Sequence, residues 1–457
     1  MASQVPIFHL PGSPAEAGLA HGRMLRDDLF APGFVEAYLA RLAITNRFQR
    51  DEVDEQAARW LLTLPTHFQE EIAGMAEGAG VSQQTVTTFL YADIARPTPA
   101  NSDQSPPAAV DQTRRTRESA DASPAPAIDL QTLAITEGAE PSRIAEPIDE
   151  VMPADLPEEP CCADRDGSLN GPAGDAATDA DADADADTNA NAADADADAD
   201  GPMCSAIIAT LRDRSMWVAR NCDWLTPTLM RGTAAVIHET PHRIPVLAVG
   251  IRGDIDVDTG INAERLWLHL HTLPAMDTPP ASRSMISWLF WSREALECCA
   301  TLDELERFIA ATARDRGVLA IAGDGKTNEA AIFECSRAGH VRHDVDPLNP
   351  CVATNHPPGK QIEPDREAKA RPGGTIGRHC GMRRCLQRRQ PERGPADLMR
   401  ILADPQVEMR TPTHMRTIYS AVVRPRDQRI WFAAGRPDGT PAASGGRWTE
   451  IEVPWTR

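Results

Sequence analysis

Nowhere in the 457 residues does an apolar run approach the roughly 18 needed to cross a bilayer, so no membrane-spanning helix is expected. The opening stretch, MASQVPIFHLPGS, lacks a basic n-region and a long apolar core, and no secretory signal is expected from it. The ten cysteines then read as reduced thiols of a cytoplasmic protein rather than as a disulfide framework. Basic charge is scarce too. The formal net charge of −21 argues against nucleic acid and anionic membrane as partners, since both require a basic face. The imbalance is concentrated in residues 173–200, which hold ten Asp and no Lys or Arg, so the remainder is only mildly acidic.

What is present falls into three stretches. Residues 97–203 are rich in Pro, Ala, Asp, Glu and Ser, almost without aromatics, and end in GDAATDADADADADTNANAADADADADG. Such a stretch buries too little apolar surface to offset its ordering entropy, and it is expected to be a disordered acidic insertion. It lacks the glycines that a calcium-binding Asp repeat requires.

Residues 1–96 pattern as helices. Ser13-Pro14-Ala15-Glu16 forms a capping box with Pro at the first turn, and Leu19, Leu25, Leu29, Val35, Tyr38 and Leu42 follow as one or two amphipathic helices. Another helix is predicted over His67–Glu77, and Ser82 caps a shorter one.

From residue 204 the period changes to two. Strands are predicted at 205–211, 216–220, 234–239, 245–251 and 265–271, with hairpins pairing 317–322 with 330–335 and 417–424 with 429–434. Thr301-Leu-Asp-Glu304 opens a further helix. Helices at both ends of a strand-rich body indicate an α+β fold.

The first hairpin carries the chemistry. A turn centred on Asp213-Arg214 places Cys204 directly opposite Asp223, with Asn221 on the same face and Arg220 on the other. If Cys204 becomes an amino terminus, its own α-amine, titrating near about 8, can act as base toward its thiol. Asp223 would hold that amine. A lone Cys at a strand start is otherwise an ordinary small buried hydrophobe.

Several segments, taken in order, resemble the acyl-coenzyme A:6-aminopenicillanic acid acyltransferase family of cysteine N-terminal-nucleophile (Ntn) hydrolases. Penicillin V acylases, bile salt hydrolases and acid ceramidase are more distant relatives. The segments are Gly12–Gly18 with His21-Gly22, Glu70–Gly80, Cys204-Ser205, Arg220–Asp223, Gly260–Leu266 and Thr354-Asn355-His356. The resemblance implies a four-layer αββα fold interrupted by the acidic insertion. It further implies self-cleavage at Met203–Cys204 into associated chains, a helical 1–96 and a catalytic 204–457. Cys204 would be the nucleophile, Asp223 the group orienting its amine, Arg220 the charge support, and Asn355 an oxyanion donor. Asn262, in the glycine–asparagine strand, and Arg383, as the later helix-start arginine, would contact substrate. No cofactor is implied, acyl-coenzyme A entering only as an acyl donor.

Trp288, Phe290 and Trp291 form an aromatic cluster suited to walling an acyl or aryl pocket, or to packing a core. The expected activity is hydrolysis or acyl transfer on a small amide or acyl-thioester. Met203, where relatives commonly carry Gly, leaves a non-catalytic, unprocessed Ntn-fold binding protein as the alternative.

Overall fold

The computed structural model describes residues 5–46, 48–94, 203–273, 285–358, 373–388, 394–410 and 415–455. They fall in one unit, drawn from Met1–Pro97 and Asp179–Arg457. The second unit, Thr98–Thr178, and the insertion expected over 97–203 as far as residue 202 lie outside the described residues.

The amino-terminal part comprises β1 (Ile7–Pro11), α1 (Pro14–Leu25), α2 (Phe34–Asn46), α3 (Arg50–Leu61), α4 (Thr66–Ala79) and α5 (Gln83–Tyr91). The Ser13 hydroxyl accepts from the Glu16 amide, and the Glu16 carboxylate accepts from the Ser13 amide at 2.9 Å, closing the capping box read from the sequence. Ser82 caps α5 by accepting from the Thr85 amide. Helix α4 stops at Gly80, whose φ of +74° suits a residue without a Cβ. The sequence reading missed α3, a charged helix that buries only Val53, Ala57 and Trp60.

The carboxy-terminal part supplies β2 (Met203–Thr210), β3 (Met216–Leu225), β4 (Thr233–Glu239), β5 (Val246–Ile251), β6 (Thr259–Asn262), β7 (Leu266–Leu273) and β8 (Met285–Ile286). Next come α6 (Trp288–Cys298), α7 (Leu302–Ala311), β9 (Ala313–Arg314), β10 (Gly317–Asp324), β11 (Glu329–Cys335), β12 (His340–Asp344) and β13 (Cys351–Ala353). The chain closes with α8 (Thr375–Arg388), α9 (Pro395–Leu402), β14 (Met415–Arg424), β15 (Arg429–Ala434), α10 (Ala442–Gly445) and β16 (Thr449–Ile451).

Two sheets form the centre. One has the order β1-β4-β5-β6-β7-β10-β11-β12 and the other β13-β2-β3-β14-β15-β16. Strand β1 joins parallel to β4, and the other described pairs in these two sheets are antiparallel. The sheets meet where β2 packs on β7, while α1, α6 and α7 cover the larger sheet and α8, α9 and α10 the smaller. Helix, sheet, sheet, helix is the α+β layering expected. Among the described residues no helix is long and apolar enough to cross a membrane.

The β2–β3 register corrects the sequence reading. Cys204 lies opposite Cys222, and Asp223 lies opposite Met203. The cause is the turn. The Arg214 amide donates to the Leu211 carbonyl at 2.9 Å, the Leu211 amide donates to the Ser215 carbonyl at 3.1 Å, and Arg214 takes φ +60°. This is a three-residue loop with a left-handed third residue, where an even loop had been expected. A one-residue slip exchanges the faces of a strand. Arg220 therefore joins Cys204 and Cys222 between the sheets, and Asp223 and Asn221 turn outward toward α8 and α9.

Candidate active site

Cys204 is 2% exposed at the start of β2, and each of its polar groups is held by a different side chain. Its Sγ accepts from Arg220 Nη2 at 3.3 Å. Its amide nitrogen donates to Asn355 Oδ1 at 2.6 Å, and its carbonyl accepts from Arg378 Nη1 at 2.5 Å.

Arg220 is fully buried and fixed by the larger sheet. It pairs with Asp258 at 3.1 Å, donates to the Thr259 hydroxyl, and lies 5.5 Å from the Tyr419 ring centroid. The Tyr419 hydroxyl donates in turn to Asp258 at 3.0 Å. The facing Cys222 thiol is pushed well above the ordinary thiol range by burial and then by its hydrogen bond with Cys204, so it stays protonated.

On the outer face of β2, Arg378 joins four groups. Besides the Cys204 carbonyl, its guanidinium donates to Ser205 Oγ at 2.8 Å and Asn355 Oδ1 at 3.2 Å, and stands 3.4 Å from Asp223 Oδ2. Asp223 also accepts from the Thr417 hydroxyl at 2.5 Å. Burial pushes the Asp223 carboxyl up to about 6, against the pull of Arg378 and Thr417. Asp223 thus flanks the Met203–Cys204 bond from opposite Met203, not from opposite Cys204.

The expected arginine of the later helix needs correction. Arg383 is exposed on α8, and Arg378 in the first turn of that helix reaches Cys204. Asn355 was expected to donate its amide to an oxyanion. Here two donors, the Cys204 amide and Arg378, converge on Oδ1, which turns Nδ2 to the Thr272 carbonyl at 3.0 Å. Asn262, expected at the substrate, is buried, donating to the Leu296 and Cys299 carbonyls and accepting from the Leu266 amide. It ties β6 to α6. Trp288 does not wall the cavity; it stacks behind Trp224 with centroids 6.2 Å apart.

An open cleft lies between the sheets beside this centre. Leu90, Val236, Val249 and Leu289 give it apolar walls, and Cys222, Asp258 and Tyr419 connect it to the Cys204–Arg220 pair. Leu90, Asp93 and Ile94 come from the amino-terminal part, so both parts of the fold build it.

Sequence reasoning overlooked His269 and His271. The alternation Leu266-Trp-Leu-His-Leu-His271 places both on one face of β7 with Trp267, and their rings lie 5.2 Å apart. His271 Nδ1 is 3.3 Å from the Thr354 carbonyl. Burial, then Arg220, holds both well below the ordinary imidazole range. Burial and then Arg293 do the same to His21, lowered to about 3, and to His238.

These four neutral imidazoles set a pH dependence. Below about 6.5 the unfolded chain takes up protons that the folded chain refuses, so stability falls with acid by up to about 1.4 kcal/mol per pH unit per histidine. Asp223 and Asp254, raised to about 6, and Glu71, raised to about 7, with Asp93, Asp256 and Asp315 raised as well, all chiefly by burial, act in the opposite sense, because the folded state then binds protons first. His21→Leu, replacing a ring packed 5.5 Å from Phe8, removes one acid-destabilising group and should raise Tm at pH 5 relative to Tm at pH 7, compared with the wild type, as thermal unfolding at the two pH values would show.

No family model matches the chain, and no curated protein matches it. Solved structures do. A mutant conjugated bile acid hydrolase from Clostridium perfringens is similar over 55% of this chain and 97% of its own, at 10% identity and TM-score 0.37. The N-acylethanolamine-hydrolyzing acid amidase ortholog of Caenorhabditis elegans matches over 49% and 93%, at 15% identity and TM-score 0.37. Penicillin V acylase from Agrobacterium tumefaciens matches over 50% and 83%, at 13% identity and TM-score 0.36.

Proposed function

We propose that this chain is a self-processing cysteine amidohydrolase or N-acyltransferase of the Ntn type, related to the acyl-coenzyme A:6-aminopenicillanic acid acyltransferase family. The observation that carries the reading is the separate restraint of Cys204 Sγ, N and O by Arg220, Asn355 and Arg378. An ordinary core cysteine has no use for two buried guanidiniums.

In the first step, Sγ attacks the Met203 carbonyl, a C–S bond replaces the C–N bond, and the proton passes to the Cys204 nitrogen. Water then hydrolyses the thioester and leaves Cys204 as an amino terminus. In turnover, the α-amine takes the thiol proton, Sγ attacks the substrate acyl carbon, and the amine departs with that proton. The acyl group passes from sulfur to water or to an acceptor amine. Asn355 Oδ1, already on the Cys204 nitrogen, would orient the new amine, a role that the sequence alone had given to Asp223.

Cleavage would leave two chains that remain together. Strand β1 sits in the larger sheet against β4, and Asp93 pairs with the buried Arg231 at 2.5 Å. Intact-mass spectrometry of the purified protein tests the reading: a fragment of residues 204–457, copurifying with the amino-terminal piece, is expected. Cys204→Ala should stay uncut and lose turnover of small amides or thioesters by about 10³-fold or more. Turnover retained in that variant removes Cys204 from the mechanism. A single uncut wild-type chain with an unreactive Cys204 identifies instead a binding protein that kept the fold.

A further inference from the structure

We infer that the cavity between the sheets recognises an organic ammonium group, so that the substrate is an amide carrying a protonated amine on an aliphatic arm. As a substrate site it rests on the reading of Cys204 as nucleophile; as a cation site it stands on the cavity itself.

The segment joining β5 to β6 runs Asp254-Ile-Asp-Val-Asp258. Its alternate residues Ile255 and Val257 are buried, and their carbonyls accept from Arg293 and Ser292 of α6. That anchorage leaves Asp254, Asp256 and Asp258 on the cavity wall. Asp93 adds a fourth carboxylate. Two guanidiniums answer them: Arg231 pairs with Asp93 and Asp254, and Arg220 with Asp258.

Asp256 lines the cavity without a hydrogen bond or ion pair among the described residues. Burial, then Asp254 and Asp258, raises its carboxyl well above the ordinary range, so it keeps its proton until a counter-charge draws it off. Arg231 pulls the Asp256 carboxyl the other way but is already paired with Asp93 and Asp254 and makes no ion pair with it.

A second observation points the same way. Trp224, on the same wall and 4% exposed, has a buried indole N–H with no partner. A buried donor left unpaired costs about 1–3 kcal/mol, and an amide carbonyl entering the cavity would relieve it. Apolar walls, an unpaired carboxylate and an unpaired donor together fit an amide with a hydrocarbon arm ending in an ammonium. A metal ion fits less well, because the carboxylates around the cavity do not converge. Among the described residues the group with metal-ligand spacing is His67, Glu294 and Glu297, away from this wall.

Calorimetry on the purified wild-type protein tests this with n-hexylammonium, 1-hexanol and n-hexanoate as probes, none of which needs turnover. Hexylammonium is expected to bind roughly tenfold to a hundredfold more tightly than hexanol, and hexanoate more weakly than either. Asp256→Asn should erase the preference for ammonium. Equal affinity for hexylammonium and hexanol overturns the inference, as does an unchanged ammonium preference in folded Asp256→Asn. The wild-type comparison decides alone if the variant fails to fold. An ammonium preference in a protein whose Cys204→Ala variant still turns over would refute the nucleophile and leave the cation site standing.

Discussion

Arg378→Met is expected to cost about 3–5 kcal/mol of stability and, under the proposed self-processing, to leave the chain uncut. The side chain is fully buried and its donors reach the Cys204 carbonyl, Ser205 Oγ and Asn355 Oδ1, with Asp223 3.4 Å away. Removing it leaves the buried Asp223 carboxylate without its cation. It also releases the Asn355 amide, whose orientation depends on two donors meeting at Oδ1. Arg378→Lys should not rescue processing, because an ammonium cannot span these partners as the planar fork does. Two comparisons separate charge from geometry. Adding Asp223→Asn to Arg378→Met should recover part of the lost stability, since no unpaired charge remains, yet leave the chain uncut. Arg383→Met, on the exposed side of the same helix, should change stability by no more than about 0.5 kcal/mol. Denaturant unfolding and intact mass report the two effects, and normal cleavage in Arg378→Met would sink the role given to this arginine.

The periodic signals in the chain were readable because local chemistry decides them. Ser13, Ser82 and Thr301 cap the helices that their spacing announces, and the alternation through 317–335 gives β10 and β11. The site was harder because it depends on register and on which helix turn faces a strand. In the β2–β3 turn the left-handed residue is Arg214, and left-handed residues elsewhere include Arg265 before β7 and Gln428 before β15. Without a glycine to mark the bulge, loop length cannot be read, and one residue of error moved Arg220 to the wrong face. The correction removes a difficulty, since Arg220 reaches Cys204 with no bulge in β3 beside β2. Arg378 was passed over for Arg383 because no helix start was read in this stretch; Gly373-Gly374-Thr375 is the signal that sets α8 at Thr375. Asn262 shows a different limit. Its strand was identified, but only three-dimensional contacts reveal that both ends of its amide are already occupied.

Gly74→Ala should destabilise the fold by about 3 kcal/mol or more, although the residue lies far in sequence from Cys204. Helices α1 and α4 touch backbone to backbone through Gly18 and Gly22 on one and Gly74 and Gly78 on the other. A Cβ on Gly74 would stand 2.2 Å from the Ala15 carbonyl oxygen, and one on Gly18 would stand 2.0 Å from that of Glu71. Neither neighbour is a side chain that can rotate away, so the helices must separate. Separation would propagate, because α4 packs on α5, and the end of α5 with the residues after it brings Leu90 and Asp93 to the cavity. The variant is therefore expected to lose part of its turnover as well as its Tm. Gly339→Ala gives the contrast: its Cβ would meet only the Ser336 hydroxyl at 3.3 Å, and Tm should hardly move. Gly80→Ala lies between, with open space around it but a φ of +74° that costs about 1 kcal/mol for a residue with a Cβ. If thermal unfolding ranked Gly74→Ala with Gly339→Ala, the helices would not be in contact at this seam. The glycines read from the sequence as a family pattern would then need another explanation than close approach.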